Sequence, residues 1–246
     1  MTAPLARAGI IAAGLGSRLS AAHPDTPKPL VPVRGKPLVY WVVANLRSAG
    51  IRHITILLNT SGDAVRTYLE ENFADLHWRF LRRDTASSWE SFRLVSRTLA
   101  QDSGDFMIST VDALIRPADI ARFSGEALAP ATGGAPSPAA ALALTGFVED
   151  EKPLWAQRDA AGNICALGED VSPEQRLSVT CGLYALTRAL PEAMPAAAAH
   201  GKLRSYWTDL IRSGAVVRGV LLQDTIDVDR PEDLSAAEKV ISCYGA

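Results

Sequence analysis

Apolar residues in this chain come in short blocks that alternate between two spacings. Residues 8–13 form an unbroken apolar run ended by Gly14 and Gly16, which predicts a buried strand feeding a glycine-containing loop. After a proline-punctuated stretch, residues 38–49 carry apolar positions at helical spacing and stop at Gly50, a residue suited to a helix C-terminus. Residues 54–58 are β-branched and apolar, a second strand, and residues 63–72 read as a helix. Phe80 and Leu81 mark a third strand, residues 89–99 an amphipathic helix, and residues 105–110 a strand running into Val111 and Asp112. Strands alternating with helices imply crossover connections, an α/β fold and a mainly parallel sheet, with ligands beyond the carboxyl ends of the strands. Asp112 falls at such an end.

Residues 129–139 are rich in Ala, Pro and Gly and read as a surface loop. The loop divides a single domain into halves of about 1–128 and about 139–246. The second half reads as strands at 142–148, 154–158, 164–167 and 178–186, partly antiparallel, followed by helical stretches near 188–199 and 203–213. Strands at 216–222 and 225–228 and a final helix from Pro231 complete the pattern.

Composition narrows the class. The 246 residues are 48% hydrophobic and 21% charged, globular proportions that exclude a disordered or fibrous chain. A formal net charge of -2 supplies no basic field for nucleic acid. No apolar stretch is long enough for a membrane span, and the N-terminal residues lack the pattern of a signal peptide. Three cysteines without metal-ligand spacing fit a reducing cytoplasm. The sequence leaves a homo-oligomer open.

Chemistry concentrates at the first strand's exit. Ala12, Ala13, Gly14, Gly16 and Ser17 form a loop whose backbone N–H groups can approach phosphate closely. Arg18 adds a planar cation, and Lys28, held between Pro27 and Pro29, a point charge. These residues, with Leu30 to Val33 behind them, resemble the signature of the sugar-phosphate nucleotidyltransferases, the family that makes nucleotide-activated sugars and related cytidylyl compounds. The likeness continues through Gly35-Lys36-Pro37-Leu38, Asp112, Cys181-Gly182-Leu183-Tyr184 and Asp227-Val228-Asp229-Arg230-Pro231.

The resemblance implies a three-layer nucleotide-diphospho-sugar transferase fold and an enzyme that joins NMP from a nucleoside triphosphate to a phosphorylated small molecule. A sugar 1-phosphate is the expected acceptor, with phosphocholine or inositol phosphate as the alternative. It assigns Arg18 and Lys28 to the departing pyrophosphate, and Asp112 and Asp227 to Mg2+, a hard ion that prefers oxygen ligands. Nucleobase selection falls to the first loop, to Asn59, and to Ser87 and Ser88.

Each residue has a structural alternative. Asp112 can form a turn, Ser87 or Ser88 can cap the following helix, and Asp229 can cap the helix at Pro231. The four histidines show no zinc spacing and no adjacent nucleophile. Where relatives carry a lysine for the acceptor phosphate, this chain reads Leu167-Gly168-Glu169-Asp170. Either Lys152 replaces it from a neighbouring hairpin, with Gly182 also assigned to the acceptor, or the acceptor is held differently. Two rival readings follow. A dinucleotide-dependent oxidoreductase is opposed by Leu19 at the third glycine position and by Asn59 where an acidic ribose ligand belongs. A nucleotide-binding regulatory module without turnover is suggested by the missing lysine.

Overall fold

The computed structural model describes residues 4–14, 19, 26–130, 136–146, 153–223, 225–242 and 244. The chain opens with β1 (Arg7–Ala12), a 3-10 turn over Lys28–Leu30, and a small hairpin of β2 (Pro32–Val33) and β3 (Lys36–Pro37). Then come α1 (Leu38–Ser48), β4 (His53–Leu58), α2 (Asp63–Asn72), β5 (His77–Arg82), α3 (Ser88–Leu99), β6 (Phe106–Thr110), β7 (Ala113–Leu114) and α4 (Pro117–Glu126). The second half contributes β8 (Ala140–Thr145), β9 (Ala156–Arg158), β10 (Ile164–Leu167), β11 (Val179–Leu186), α5 (Leu203–Arg212), β12 (Val217–Leu222), β13 (Ile226–Asp227) and α6 (Asp233–Ser242).

Seven strands form one sheet in the order β12-β8-β11-β6-β1-β4-β5. β5, β4, β1 and β6 run parallel, β11 runs antiparallel between β6 and β8, and β12 rejoins β8 in parallel. The fold is therefore the α/β, mainly parallel architecture expected, with β11 the antiparallel strand of the seven-stranded sheet. Helices cover both faces. Residues of α1, α2, α4 and α6 share one apolar cluster with the sheet, while Trp89, Phe92, Val95 and Leu99 of α3 share another with Tyr206 and Trp207 of α5. β8 is buried along its whole length, as a strand covered on both faces requires.

Local chemistry sets the helix ends. At the end of α1, Gly50 adopts φ +96, its N–H donates to Arg47 O and that of Ile51 donates to Leu46 O, the paired bonds of a glycine-terminated helix. The expected helix near 188–199 is replaced by 3-10 turns at Leu190–Glu192 and Ala197–Ala199. Pro191 and Pro195 account for this, because each lacks an N–H and clashes with the preceding turn. The final helix begins at Asp233 instead of Pro231, and the Asp233 carboxylate accepts the N–H groups of Asp229 and Arg230, both at 2.8 Å. Helix α4 has no counterpart in the sequence reading; Pro at its start was the available signal.

Candidate active site

Beyond the carboxyl end of β6 and beside the amino-terminal part of the antiparallel β11, a cavity of about 500 Å³ is lined by Thr110, Asp112, Gly182, Tyr184, Asp227 and Asp229, and by Ser88, Lys202, Arg204 and Trp207 from the helical side. A two-residue ladder builds its acidic wall. β13 pairs antiparallel with β7, placing Asp227 opposite Ala113, and Val228 N–H donates to Asp112 O at 3.1 Å. Two aspartates distant in sequence thus reach one place.

Gly182 makes the room between them. It sits where the β11–β8 register shifts, with φ +74, and a Cβ there would lie 2.5 Å from Thr110 Oγ1, 2.9 Å from Ala113 Cβ and 3.5 Å from Asp227 Oδ1. Only glycine fits both the backbone angle and the space.

Lys28 is delivered by the 3-10 turn between its prolines and is 6% exposed. Its Nζ donates to Asp112 Oδ2 at 2.6 Å and to Asp229 Oδ1. Burial works against the ammonium, but the charges of Asp112 and then Asp229, with their hydrogen bonds, outweigh it and raise the pKa above the ordinary lysine value. Asp112 moves the opposite way. Burial would raise its carboxyl, yet the Lys28 charge and hydrogen bonds from Lys28 and Thr110 hold it below the usual range. Burial, reinforced by Asp227, pushes the Cys181 thiol up; burial, then Asp227, Cys181 and Asp112, do the same to the Tyr184 hydroxyl. At neutral pH Cys181 is a packed thiol and not a nucleophile, and Tyr184 keeps its proton.

Among the described residues no three His, Cys, Asp or Glu side chains form a complete metal cage. Two carboxylates at the rim of an open cavity offer a partial, all-oxygen donor set, which suits an ion that completes its shell with phosphate and water oxygens.

The structure separates the other expected site residues. Ala12 ends β1 and Ala13 follows it, both buried, and Gly14 is exposed after them. Gly16, Ser17, Arg18 and Lys152 lie outside the described residues. Ser87 caps α3, accepting Glu90 N–H at 3.0 Å, whereas Ser88 lines the cavity and accepts Leu203 N–H at 3.0 Å. Asn59 lines a separate cleft of about 70 Å³ with Arg66 and Phe80. Sequence reasoning missed Asp229 as the second partner of Lys28, and it missed Tyr184, Trp207, Lys202 and Arg204 as cavity walls. Asp229 and Tyr184 lie in motifs already noted, so a second carboxylate near Lys28 could have been inferred there; Trp207, Lys202 and Arg204 carry no motif.

Comparison with known proteins adds an independent line. The family model described as "MobA-like NTP transferase domain" matches residues 8–205, a stretch that holds Lys28, Asp112 and Gly182 but not Asp227. The chain is similar to the CMP-5'-(3-aminopropyl)phosphonate synthase of Streptomyces rubellomurinus, 31% identical over 39% of this chain and 16% of that protein. It is also similar to the 2-aminoethylphosphonate cytidylyltransferase of Lancefieldella rimae, 37% identical over 29% of this chain and 26% of that protein. The matched stretches therefore span well under half of these curated relatives. The fold matches that of the inositol-1-phosphate CTP transferase from T. maritima with a TM-score of 0.82, at 17% identity, covering 98% of this chain and 97% of that one. No helix among the described residues is long and apolar enough to cross a membrane.

Proposed function

Since the chain belongs to the family of MobA-like NTP transferase domains, we propose that it transfers a nucleoside monophosphate from a nucleoside triphosphate, CTP foremost, to the phosphate or phosphonate of a small molecule. The observation that carries this reading is the convergence of Asp112 and Asp227 on one cavity, with Lys28 hydrogen-bonded at its acidic wall. The cytidylyl chemistry named for the relatives above supports the choice of nucleotide.

In the reaction an acceptor oxygen attacks the α-phosphorus. A new P–O bond forms, the bond to the oxygen bridging the α- and β-phosphates breaks, and pyrophosphate leaves with the electron pair. The acceptor oxyanion is already a nucleophile, so no side chain needs to remove a proton. Asp112 and Asp227 would hold Mg2+, which, when bound, neutralises phosphate charge and fixes the triphosphate's orientation. Lys28, kept protonated by Asp112 and Asp229, supplies a fixed positive charge in a partly water-excluded place, where it stabilises charge better than in bulk solvent. Arg18 is assigned to the same phosphate chain. Tyr184 stays neutral and offers a hydroxyl donor to substrate oxygens.

A pyrophosphate-release assay of the five common triphosphates against phosphorylated sugars, polyols, choline and aminoalkyl phosphonates tests the proposal. Metal-dependent release with one nucleotide–acceptor pair is expected. Nucleotide binding without release across the panel would favour the regulatory module.

A further inference from the structure

We propose that Lys202 and Arg204, at the start of α5, bind the phosphorus oxyanion of the acceptor. This assignment rests on the nucleotidyl-transfer reading and names the residues that select the second substrate. The charges around the cavity are sorted by element: the carboxylates come from β13 and from the segments after β6 and β13, while the lining cations among the described residues are Lys202 and Arg204. The two substrates are both anions, and bringing an acceptor dianion against a triphosphate costs free energy unless cations stand on the acceptor's side. Lys28 stands at the acidic wall, hydrogen-bonded to Asp112 and Asp229, away from the start of α5.

The start of α5 is held for such a role. Its first N–H, from Leu203, donates to Ser88 Oγ at the start of α3, which fixes the helix relative to the cavity. Arg204 and Trp207 are three residues apart and share a helix face. Trp207 forms part of the same cavity wall, is completely buried, and has no acceptor for its Nε1–H among the described residues. A buried donor of this kind calls for a ligand oxygen or water nearby. The Tyr184 hydroxyl feels the charge of Asp227 and Asp112 and also that of Arg204, so the helix cation and the aspartates act on one region. At the segment where the resembling family carries its acceptor lysine, Asp170 is instead paired with Arg212 at 2.7 Å, at the far end of α5. The ligand this site fits is a small molecule ending in a tetrahedral phosphorus dianion, whether a phosphonate or a phosphate monoester.

The test is steady-state pyrophosphate release by the full chain with CTP and Mg2+, using 2-aminoethylphosphonate, phosphocholine and glucose 1-phosphate as separate acceptors. Lys202→Ala and Arg204→Ala should each raise the acceptor KM about 10- to 100-fold, the range expected for losing one charge-assisted hydrogen bond. The CTP KM should stay within about twofold, and Lys202→Arg, which keeps a cation able to donate to the oxyanion, should largely restore the acceptor KM. The acceptor with the lowest wild-type KM separates phosphonate from phosphate. An unchanged acceptor KM in both alanine variants, or a rise in the CTP KM instead, overturns the assignment while leaving nucleotidyl transfer standing. A wild-type chain that releases no pyrophosphate from any pair refutes the underlying reading and this assignment together.

Discussion

The sheet carries a polar cleft at each end, and the two differ in size and in where their charges come from. Where β1, β4 and β5 begin, a cleft of about 180 Å³ is lined by Arg7, His53, His77, Arg79 and Asp102. There the charges are spent on one another. Arg7 donates to Leu99 O at 2.9 Å and to Gly104 O and pairs with Asp102 at 3.3 Å, Arg79 pairs with Asp102 at 3.1 Å, and the histidine rings stack with centroids 4.6 Å apart. At the carboxyl end the cavity is far larger and its carboxylates and cations come from different elements, with the Lys28 ammonium paired to Asp112 and Asp229 in the acidic wall. Polarity alone therefore does not mark a site. A larger volume with carboxylates on its sheet side and cations on its helical side does, because it fits a ligand carrying both a metal ion and phosphates.

The comparison breaks first at Asp112. Asp112→Asn should lower turnover by about 10³-fold, the scale of removing one preorganised electrostatic contact, read as pyrophosphate release with varied Mg2+. A loss under tenfold with unchanged metal dependence would place the chemistry elsewhere. Lys28→Met should cost about 10²-fold in turnover. Because it leaves Asp112 and Asp229 facing each other without their cation, Mg2+ should raise its melting temperature more than it raises that of the wild type.

Gly182→Ala should destabilise the fold by about 1–3 kcal/mol, from the strained backbone angle and the contact with Thr110, seen as a lower melting temperature. The acid limb of stability is a smaller effect. The Asp112 carboxyl is depressed below its ordinary 3.8 in the folded chain, so its contribution is present above that value and is lost as pH falls through the depressed one. Asp112→Asn should flatten this limb in a pH series of denaturant melts. At the other end of the sheet, Arg7→Met should cost about 1–2 kcal/mol through its lost carbonyl contacts and leave kcat/KM unchanged. A catalytic effect there would erase the distinction between the two clefts.

The strands and helices that carry strong periodicity were legible in the sequence, and α2 matches its expected bounds at Asp63–Asn72. Two regions were misread for physical reasons. Around Pro191 and Pro195 the apolar spacing suggested a helix that the missing N–H groups do not allow. In α4 the buried face includes Asp119 and Ser124, with Asp119 held by Arg116 at 2.9 Å and Arg122 at 3.1 Å, so its pattern of apolar residues is blurred. At the site, Lys28, Asp112 and Asp227 sit in recognisable motifs. Lys202, Arg204 and Trp207 belong to an amphipathic helix, and only the packing of α5 beside α3 turns their side toward the cavity. Ser87 had two readings in the sequence, and its bond to Glu90 N–H assigns it to the start of α3.

The pairing of β13 with β7 carries a consequence for how the protein comes into being. The carboxylate of Asp227 arrives on a strand of two residues whose partner, Ala113 to Leu114, lies nearly half the chain earlier. Contacts so remote in sequence are late to form. A growing polypeptide would therefore possess most of this sheet before β13 and α6 had settled and brought Asp227 to the cavity.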